Sequence, residues 1–371
     1  MKWSWPIGQI KGIPIRIHAT FALVLIWAAF EWGVQRGLGF AGALYGVLFF
    51  SLLFLCVTLH ELGHSLVALR YGAKVRHITL YPIGGVARLE SEIPRPSQEF
   101  WMSIAGPAVN VALFILLGVA TLPLLGWRAL GGLDLLLGRI QALGLERLLL
   151  DLLLANAGLA IFNLLPAFPM DGGRVLRSLL AIRMGSHRAT RAAMRIGQGL
   201  AALLGLLGLF TGALNLVLIA LFIFFGARQE WRGTQLRMAM QELPASTALL
   251  RGGMALSPHD MLARAIDITL RNEQANFAVF DESYLVGVLT HDDITEGFQR
   301  YGPHVSVGRV MCTNFPVAQI SDTLLDLQRE MQKSGASVIS ILEGQRYLGL
   351  ATLESVRNAL GLIPARSWQS A

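Results

Sequence analysis

Six apolar runs mark out the first part of the chain: 19–35, 40–69, 99–122, 146–166, 195–212 and 213–229. Each approaches the roughly 20 helical residues needed to cross a hydrocarbon core. The last two abut at Thr211-Gly212 and predict a tight helical hairpin. Between the third and fourth runs, residues 123–145 set Arg128 and Arg139 among many leucines, the pattern of a helix lying in the interface on the outer side. After Trp231 the texture changes to short β-rich runs alternating with helices polar on one face. A repeat with an offset of about 62 residues runs through this part. Helix-like 257–274, strand-like 275–280 and Gly287-Val-Leu-Thr290 recur as helix-like 320–335, strand-like 336–341 and Gly349-Leu-Ala-Thr352. Duplicated β-β-α units of this size pair to bury one shared core. The pattern predicts a polytopic α-helical membrane domain with about six transmembrane helices over 1–235. An α/β tandem pair follows over 241–371, with repeats at about 247–302 and 307–362.

Composition sharpens this division. Of 371 residues, 54% are hydrophobic and only 15% charged, against roughly 25% charged in soluble chains. One water-soluble domain is therefore a poor fit, and disorder is excluded by the apolar content. The net charge of +7 conceals +11 over 1–240 and −4 over 241–371. A basic part that is also apolar points to cationic loops at a bilayer and away from nucleic acid. Lys and Arg alternate between dense and sparse loops, with five in 70–98 and one at Arg36. The positive-inside rule then places both termini in the cytoplasm of a multi-pass inner-membrane protein. Cys56 and Cys312 make no disulfide framework. The first 18 residues show no compact apolar run ending in a small-residue cleavage site, so no cleavable signal peptide is expected.

The second run contains His60-Glu61-Leu62-Gly63-His64. Histidines four apart share one helix face, so both imidazoles can reach a single metal ion. Glu61 flanks the first of them, where it can take a proton from water at the metal. A carboxylate at the bilayer centre costs about 2.5–3.5 kcal/mol on insertion scales, and needs a partner, a metal or a water cavity to compensate it. Paired hydrogen bonding to neighbouring helices is the plainer alternative for these histidines. Catalytic zinc uses three protein ligands and one open position. Asp171, in Asn163-Leu-Leu-Pro-Ala-Phe-Pro-Met-Asp171-Gly-Gly-Arg174, is the candidate third ligand, expected at the end of the fourth span. Pro166 and Pro169 break the helix there and Gly172-Gly173 permit unusual backbone angles. At 1.5 Å per residue, His64 lies about 9 Å and His60 about 15 Å from the cytoplasmic end near Arg70, the same end at which Asp171 is expected.

Taken together, the HELGH span, the NxxPxxPxDG segment, Ala105-Gly-Pro-Ala-Val-Asn110 and Gly12-Ile-Pro-Ile-Arg-Ile-His18 resemble the site-2 protease family of intramembrane zinc metalloproteases. The resemblance covers about residues 7–230, with Met170 where Leu is usual. It implies one Zn2+ held by His60, His64 and Asp171, Glu61 as general base, and Asn163 holding substrate or stabilising the oxyanion. The implied substrate is a transmembrane segment of another protein: an anti-sigma factor, a pro-sigma factor or another tethered regulator. Residues 84–90, GGVARLE, resemble the family's hairpin near the cleft, which could add a strand to unwound substrate. Asn110, Asn156 and Asp151 are read as packing residues, and His18 and His77 as interfacial.

The tail resembles a tandem pair of CBS domains. That implies adenine nucleotide (ATP, ADP or AMP) between the repeats, with Gly287, Thr290 and Asp293 forming one site. The second repeat has Gly349 and Thr352 but Ser355 in place of the Asp, so its site is weakened or empty. A dimerisation platform without ligand is the alternative, and a homodimer through the CBS pair is compatible with both. Two other classes stay in view: a CBS-gated transporter or channel, and a catalytically inactive protease-like scaffold. A transporter predicts polar residues spread along several helices, whereas here they concentrate on two spans at one depth.

Overall fold

The computed structural model describes residues 3–82, 84–89, 95–125, 143–272 and 274–361. The chain divides into two compact units, Met1–Trp231 and Arg232–Ala371.

Helices form at each of the six apolar runs, all of which begin in the first unit. They are α1 (Phe21–Phe30, continued by one π turn, Glu31–Gln35), α2 (Gly39–Arg70), α3 (Pro96–Leu125), α4 (Leu145–Asn163), α6 (Ser186–Thr211) and α7 (Leu214–Glu242). Among the described residues, Gly39–Arg70, Pro96–Leu122, Ser186–Thr211 and Leu214–Glu242 are long and apolar enough to cross a membrane. The stretch Phe21–Gln35 is shorter. Helix α4 carries Glu146, Arg147 and Asp151. Its charges are partly paired: Arg147 Nε donates to Asp151 at 3.0 Å, and the Tyr45 hydroxyl of α2 donates to the same carboxylate at 2.7 Å. The expected interfacial helix over 123–145 falls mostly outside the described residues. Gly212, in the left-handed region at φ 68°, turns α6 into α7, as the abutting apolar runs lead one to expect.

The position of Asp171 departs from the sequence expectation. Helix α4 ends at Asn163; residues 164–170 form an irregular turn, and Asp171 opens a further helix, α5 (Asp171–Met184). The carboxylate thus sits at a helix N-terminus, where the aligned peptide dipoles favour negative charge, and not at the end of the preceding span. The prolines explain the shift: Pro166 and Pro169 interrupt α4, and the chain restarts as soon as they are passed.

A four-stranded sheet also belongs to this unit, in the order β1 (Ser4–Ile10), β2 (Ile13–His18), β3 (Val75–Tyr81), β4 (Gly84–Leu89). Strands β2 and β3 pair in parallel and the other neighbours antiparallel. Alternation of Ile13, Ile15 and Ile17 with Pro14, Arg16 and His18 builds one apolar face. Ile13 and Ile78 pack on Leu62, and Leu80 on Phe21 and Phe54. The sheet therefore lies on α1 and α2, with Leu62 of the HELGH sequence in the seam.

The second unit contains two β-β-α repeats. The first has α8 (Leu262–Asn272), β5 (Phe277–Asp281), β6 (Tyr284–Leu289) and α9 (His291–Tyr301). The second has α10 (Leu324–Ser334), β8 (Val338–Glu343), β9 (Arg346–Thr352) and α11 (Leu353–Gly361), with β7 (Val317–Gln319) parallel to β8. Each repeat has its own core, around Leu262, Phe277 and Leu289 in one and Leu324, Leu327 and Ile339 in the other. Val288, Val338 and Leu350 join the two into one body.

Candidate active site

Helix α2 presents His60 and His64 one turn apart, and α5 presents Asp171 from its first turn. Their ligand atoms converge. His60 Nε2 lies 3.1 Å from His64 Nε2, and Asp171 Oδ2 lies 3.2 and 3.1 Å from the two nitrogens. The other ring nitrogens are occupied. His64 Nδ1 donates to the Met102 carbonyl at 2.6 Å, and His60 Nδ1 meets the Asn110 Oδ1 at 3.1 Å. Both partners accept, so each neutral imidazole carries its proton on Nδ1 and turns a lone pair inward from Nε2. Two lone pairs and a carboxylate oxygen then face one another with no proton between them, an arrangement that repels unless a cation occupies the centre. A tetrahedral zinc with bonds of about 2.0–2.1 Å sets its ligand atoms roughly 3.3 Å apart. The donor set and its spacing therefore fit zinc, with one position left open. Among the described residues these three form the one cluster of His, Cys, Asp or Glu whose ligand atoms are close enough to hold a metal ion.

Helix α3 supplies the backing for this cluster. Met102, Gly106 and Asn110 recur every four residues and so form one stripe. A Cβ on Gly106 would lie 2.2 Å from His64 Nε2 and 2.7 Å from His60 Nε2, so only glycine lets α3 pass this close to the imidazoles. Asn110 is fully buried. Packing alone does not describe it, since its oxygen orients the first histidine. The sequence signal was present in the Ala105–Asn110 stretch, where Gly106 and Asn110 stand four apart. Without a known partner helix, that spacing did not say what they faced.

Glu61 points toward the sheet. Gly85 of β4 passes so near that a Cβ there would lie 2.5 Å from Glu61 Cγ, and the Ala87 N–H donates to the Glu61 carboxylate. The GGVARLE segment is thus a strand, the terminal one of its sheet, set directly beside the proposed base. Its last residue, Glu90, lies outside the described residues.

Asn163 ends α4 and donates its side-chain N–H to the Leu159 carbonyl at 3.0 Å, leaving one amide hydrogen for another partner. Asn156 makes the same kind of bond to Leu152. His18 bonds Thr20 and stacks with Tyr81, while His77 lies within β3; neither approaches the cluster. In the second unit, Thr290 and Asp293 form a reciprocal capping box at the start of α9. Thr323 and Asp326 form the same box at α10, so helix capping is a sufficient local reason for the pair. Thr352 and Ser355 cap α11 by a corresponding exchange. Gly287 admits Met311, whose sulfur would lie 2.6 Å from a Cβ.

This geometry agrees with what the chain is similar to. The profile of peptidase family M50 matches residues 48–206. A zinc metalloprotease of Methanocaldococcus jannaschii is 31% identical over 98% of this chain and 98% of its own. The chain belongs to peptidase family M50. It is accordingly a zinc metalloprotease of the site-2 protease type and a membrane protein. The M50 chain is also 37% identical to the solved site-2 protease of M. jannaschii, over 62% of its own length and 95% of that structure, with a TM-score of 0.44. Part of the chain is similar to a solved CBS domain pair, crystallised with 5′-methylthioadenosine and S-adenosyl-L-methionine. There the identity is 18% and the TM-score 0.30, over 32% of this chain and 95% of that one.

Proposed function

We propose that His60, His64 and Asp171 hold the catalytic zinc and that Glu61 is the general base in hydrolysis of a peptide bond within a substrate's transmembrane segment. The observation that carries this reading is the convergence of Nε2, Nε2 and Oδ2 within 3.1–3.2 Å with both Nδ1 atoms already bonded outward. Zinc at this site supplies the Lewis acidity that brings a water proton within reach of a carboxylate near neutral pH. Glu61, adjacent in sequence to the first ligand, accepts that proton and returns one to the departing amine. The remaining amide hydrogen of Asn163 steadies the substrate carbonyl as its oxygen gains charge. A helical substrate hides its carbonyls in its own hydrogen bonds and must unwind. The edge of β4 takes up the unwound stretch as an added strand, which brings a scissile carbonyl past Glu61.

The substrate is a membrane-tethered regulatory protein, and the protease is a multi-pass inner-membrane protein with both termini in the cytoplasm. Glu61→Gln leaves the chain folded and zinc-loaded while cutting cleavage of a model single-span substrate by at least about a hundredfold. Asp171→Ala lowers the zinc content of the purified protein. Retained cleavage in the first variant removes the base assignment; unchanged stoichiometry in the second removes that ligand.

The second unit regulates the first by binding one adenine nucleotide at the first repeat, at the turn that carries Gly287, Thr290 and Asp293. Support comes from the Gly-x-x-Thr-x-x-Asp order leading from β6 into α9. Calorimetry on the full chain in detergent with ATP, ADP and AMP is expected to give heat with one of them at a stoichiometry near one. No heat with any of the three leaves a ligand-free platform.

A further inference from the structure

Helices α6 and α7 hold the turn before Asp171 on one side and leave a groove on the other. Gly197 and Ile223 face inward: a Cβ on Gly197 would lie 3.2 Å from Ala167 Cβ, and Ile223 packs with Ala167 and Met170. The groove holds ≈ 310 Å³ between Gln198, Ala202 and Gly205 of α6 and Val217, Leu221 and Phe224 of α7. Ala202 and Leu221 are exposed, so it opens outward, onto the surface that a bilayer covers.

Three observations describe its occupant. The first is length. From Gln198 to Leu209, both lining residues, the groove follows α6 for about 17 Å. That is close to one leaflet of a hydrocarbon core ~30 Å thick. The second is room. A helix with its side chains is about 10–12 Å across and would need over ~1,000 Å³ along this stretch, whereas one extended hydrocarbon chain needs far less. The third is polarity. Gln198 is the polar lining residue and stands at one end. Beyond that end, Arg195 and Arg191 continue the three-four spacing of Gln198, Ala202 and Gly205, and Arg228 and Trp231 continue that of Val217, Leu221 and Phe224. The two rows still face each other there, since Arg191 Cζ lies 5.1 Å from the centre of the Trp231 ring. Arg195 and Arg228 therefore stand one turn past the groove, bracketed between its lining and that bridge. Both are exposed, and neither makes an ion pair among the described residues. Two cations at the mouth of an apolar channel call for an anion with a hydrocarbon tail.

We propose that this groove seats one acyl chain of an anionic phospholipid, with its phosphate between Arg195 and Arg228. Basic residues between helices at a membrane surface attract acidic headgroups, and the guanidinium fork matches a phosphate. The site lies behind the α6–α7 hairpin and depends on none of the catalytic assignments above.

Native mass spectrometry of the full chain in a non-ionic detergent tests it, with phosphatidylglycerol and phosphatidylcholine of the same acyl chains as probes. The expected result is one retained phosphatidylglycerol, bound about tenfold more tightly than phosphatidylcholine. Arg195→Gln combined with Arg228→Gln brings the two lipids to within about twofold of each other. Ala202→Phe fills the groove from its open side and lowers retention of both lipids by about tenfold, the effect of keeping two methylenes out of it. Circular dichroism and zinc content check that the variants are folded. Should either fail to fold, Arg228→Gln alone or Ala202→Leu is read in its place and moves the same readout in the same direction. Equal retention of the two lipids by the unaltered chain overturns the proposal, as does an unchanged preference in the folded arginine variant. Undiminished retention in the filled variant overturns the groove as the seat of the chain.

Discussion

Asn110 stands behind the histidine pair, and the direction in which His60 points depends on it. Its Oδ1 is the acceptor that fixes the imidazole proton on Nδ1; without it the ring is free to take the other tautomer, and the inward lone pair is lost. Loss of a partner behind a metal-bound histidine usually costs 10–100-fold in metal affinity or activity. Asn110→Ala is therefore expected to weaken zinc binding by about tenfold or more, measured by competition with a chromogenic chelator. The histidine pair was legible in the sequence, because spacing of four along a helix is a local fact that needs no partner. Asn110 was not: its contact spans fifty positions of chain, and buried amides in apolar helices more often serve packing. Asp171 was legible as a carboxylate among prolines and glycines, but its place at the start of α5 depends on where the chain resumes its helix, which composition does not specify.

At the scale of elements, α5 needs holding, since the proposed third ligand, Asp171, sits on it. Arg177, on the same helix, supplies the clamp. Its Nε donates to Glu99 of α3 at 3.0 Å and its Nη1 to Glu230 of α7 at 2.8 Å, with the Phe168 ring 5.5 Å beneath. Burial alone would lower the affinity of this guanidinium for its proton, and the two carboxylates more than offset that. Removing the cation strands two partly buried acids. Arg177→Met is expected to destabilise the first unit by about 3 kcal/mol, read as a lower unfolding temperature, and to loosen zinc in the same preparation. The long helices were legible because twenty apolar residues admit few other readings. The sheet was largely missed: β1 to β3 are six or seven residues long, and β2 and β3 find their partners across the whole of α1 and α2. Only the GGVARLE segment was foreseen, and that through resemblance.

Across the whole molecule, composition and fold divide the chain in nearly the same place. The apolar, basic part ends near residue 231 and the acidic repeats follow. Each part has a core of its own, so they are expected to unfold in separate transitions. Chelation then acts on one of them. Stripping zinc removes the binding contribution to stability, about 2.7 kcal/mol when the ion stood at a hundredfold over its dissociation constant. Scanning calorimetry with and without phenanthroline is expected to move the transition of the first unit down and leave that of the second where it was. The repeat in the second unit was legible from its offset alone, since both copies reuse the same strand-turn-helix grammar. Which face of that repeat meets a ligand was not, because Thr290 and Asp293 satisfy each other equally well with none.

The bare α-carbon at Gly106 has a wider implication. The volume a metal centre needs is set here by an atom that is missing from a third helix, outside the HELGH and NxxPxxPxDG signatures. A relative with alanine at this position would retain the histidine pair, the glutamate and the aspartate, and would be scored as active by any comparison of those signatures. Its imidazoles would nevertheless be pushed apart by a single methyl group. Sorting working proteases from silent cousins therefore calls for inspecting this position as closely as the ligands themselves.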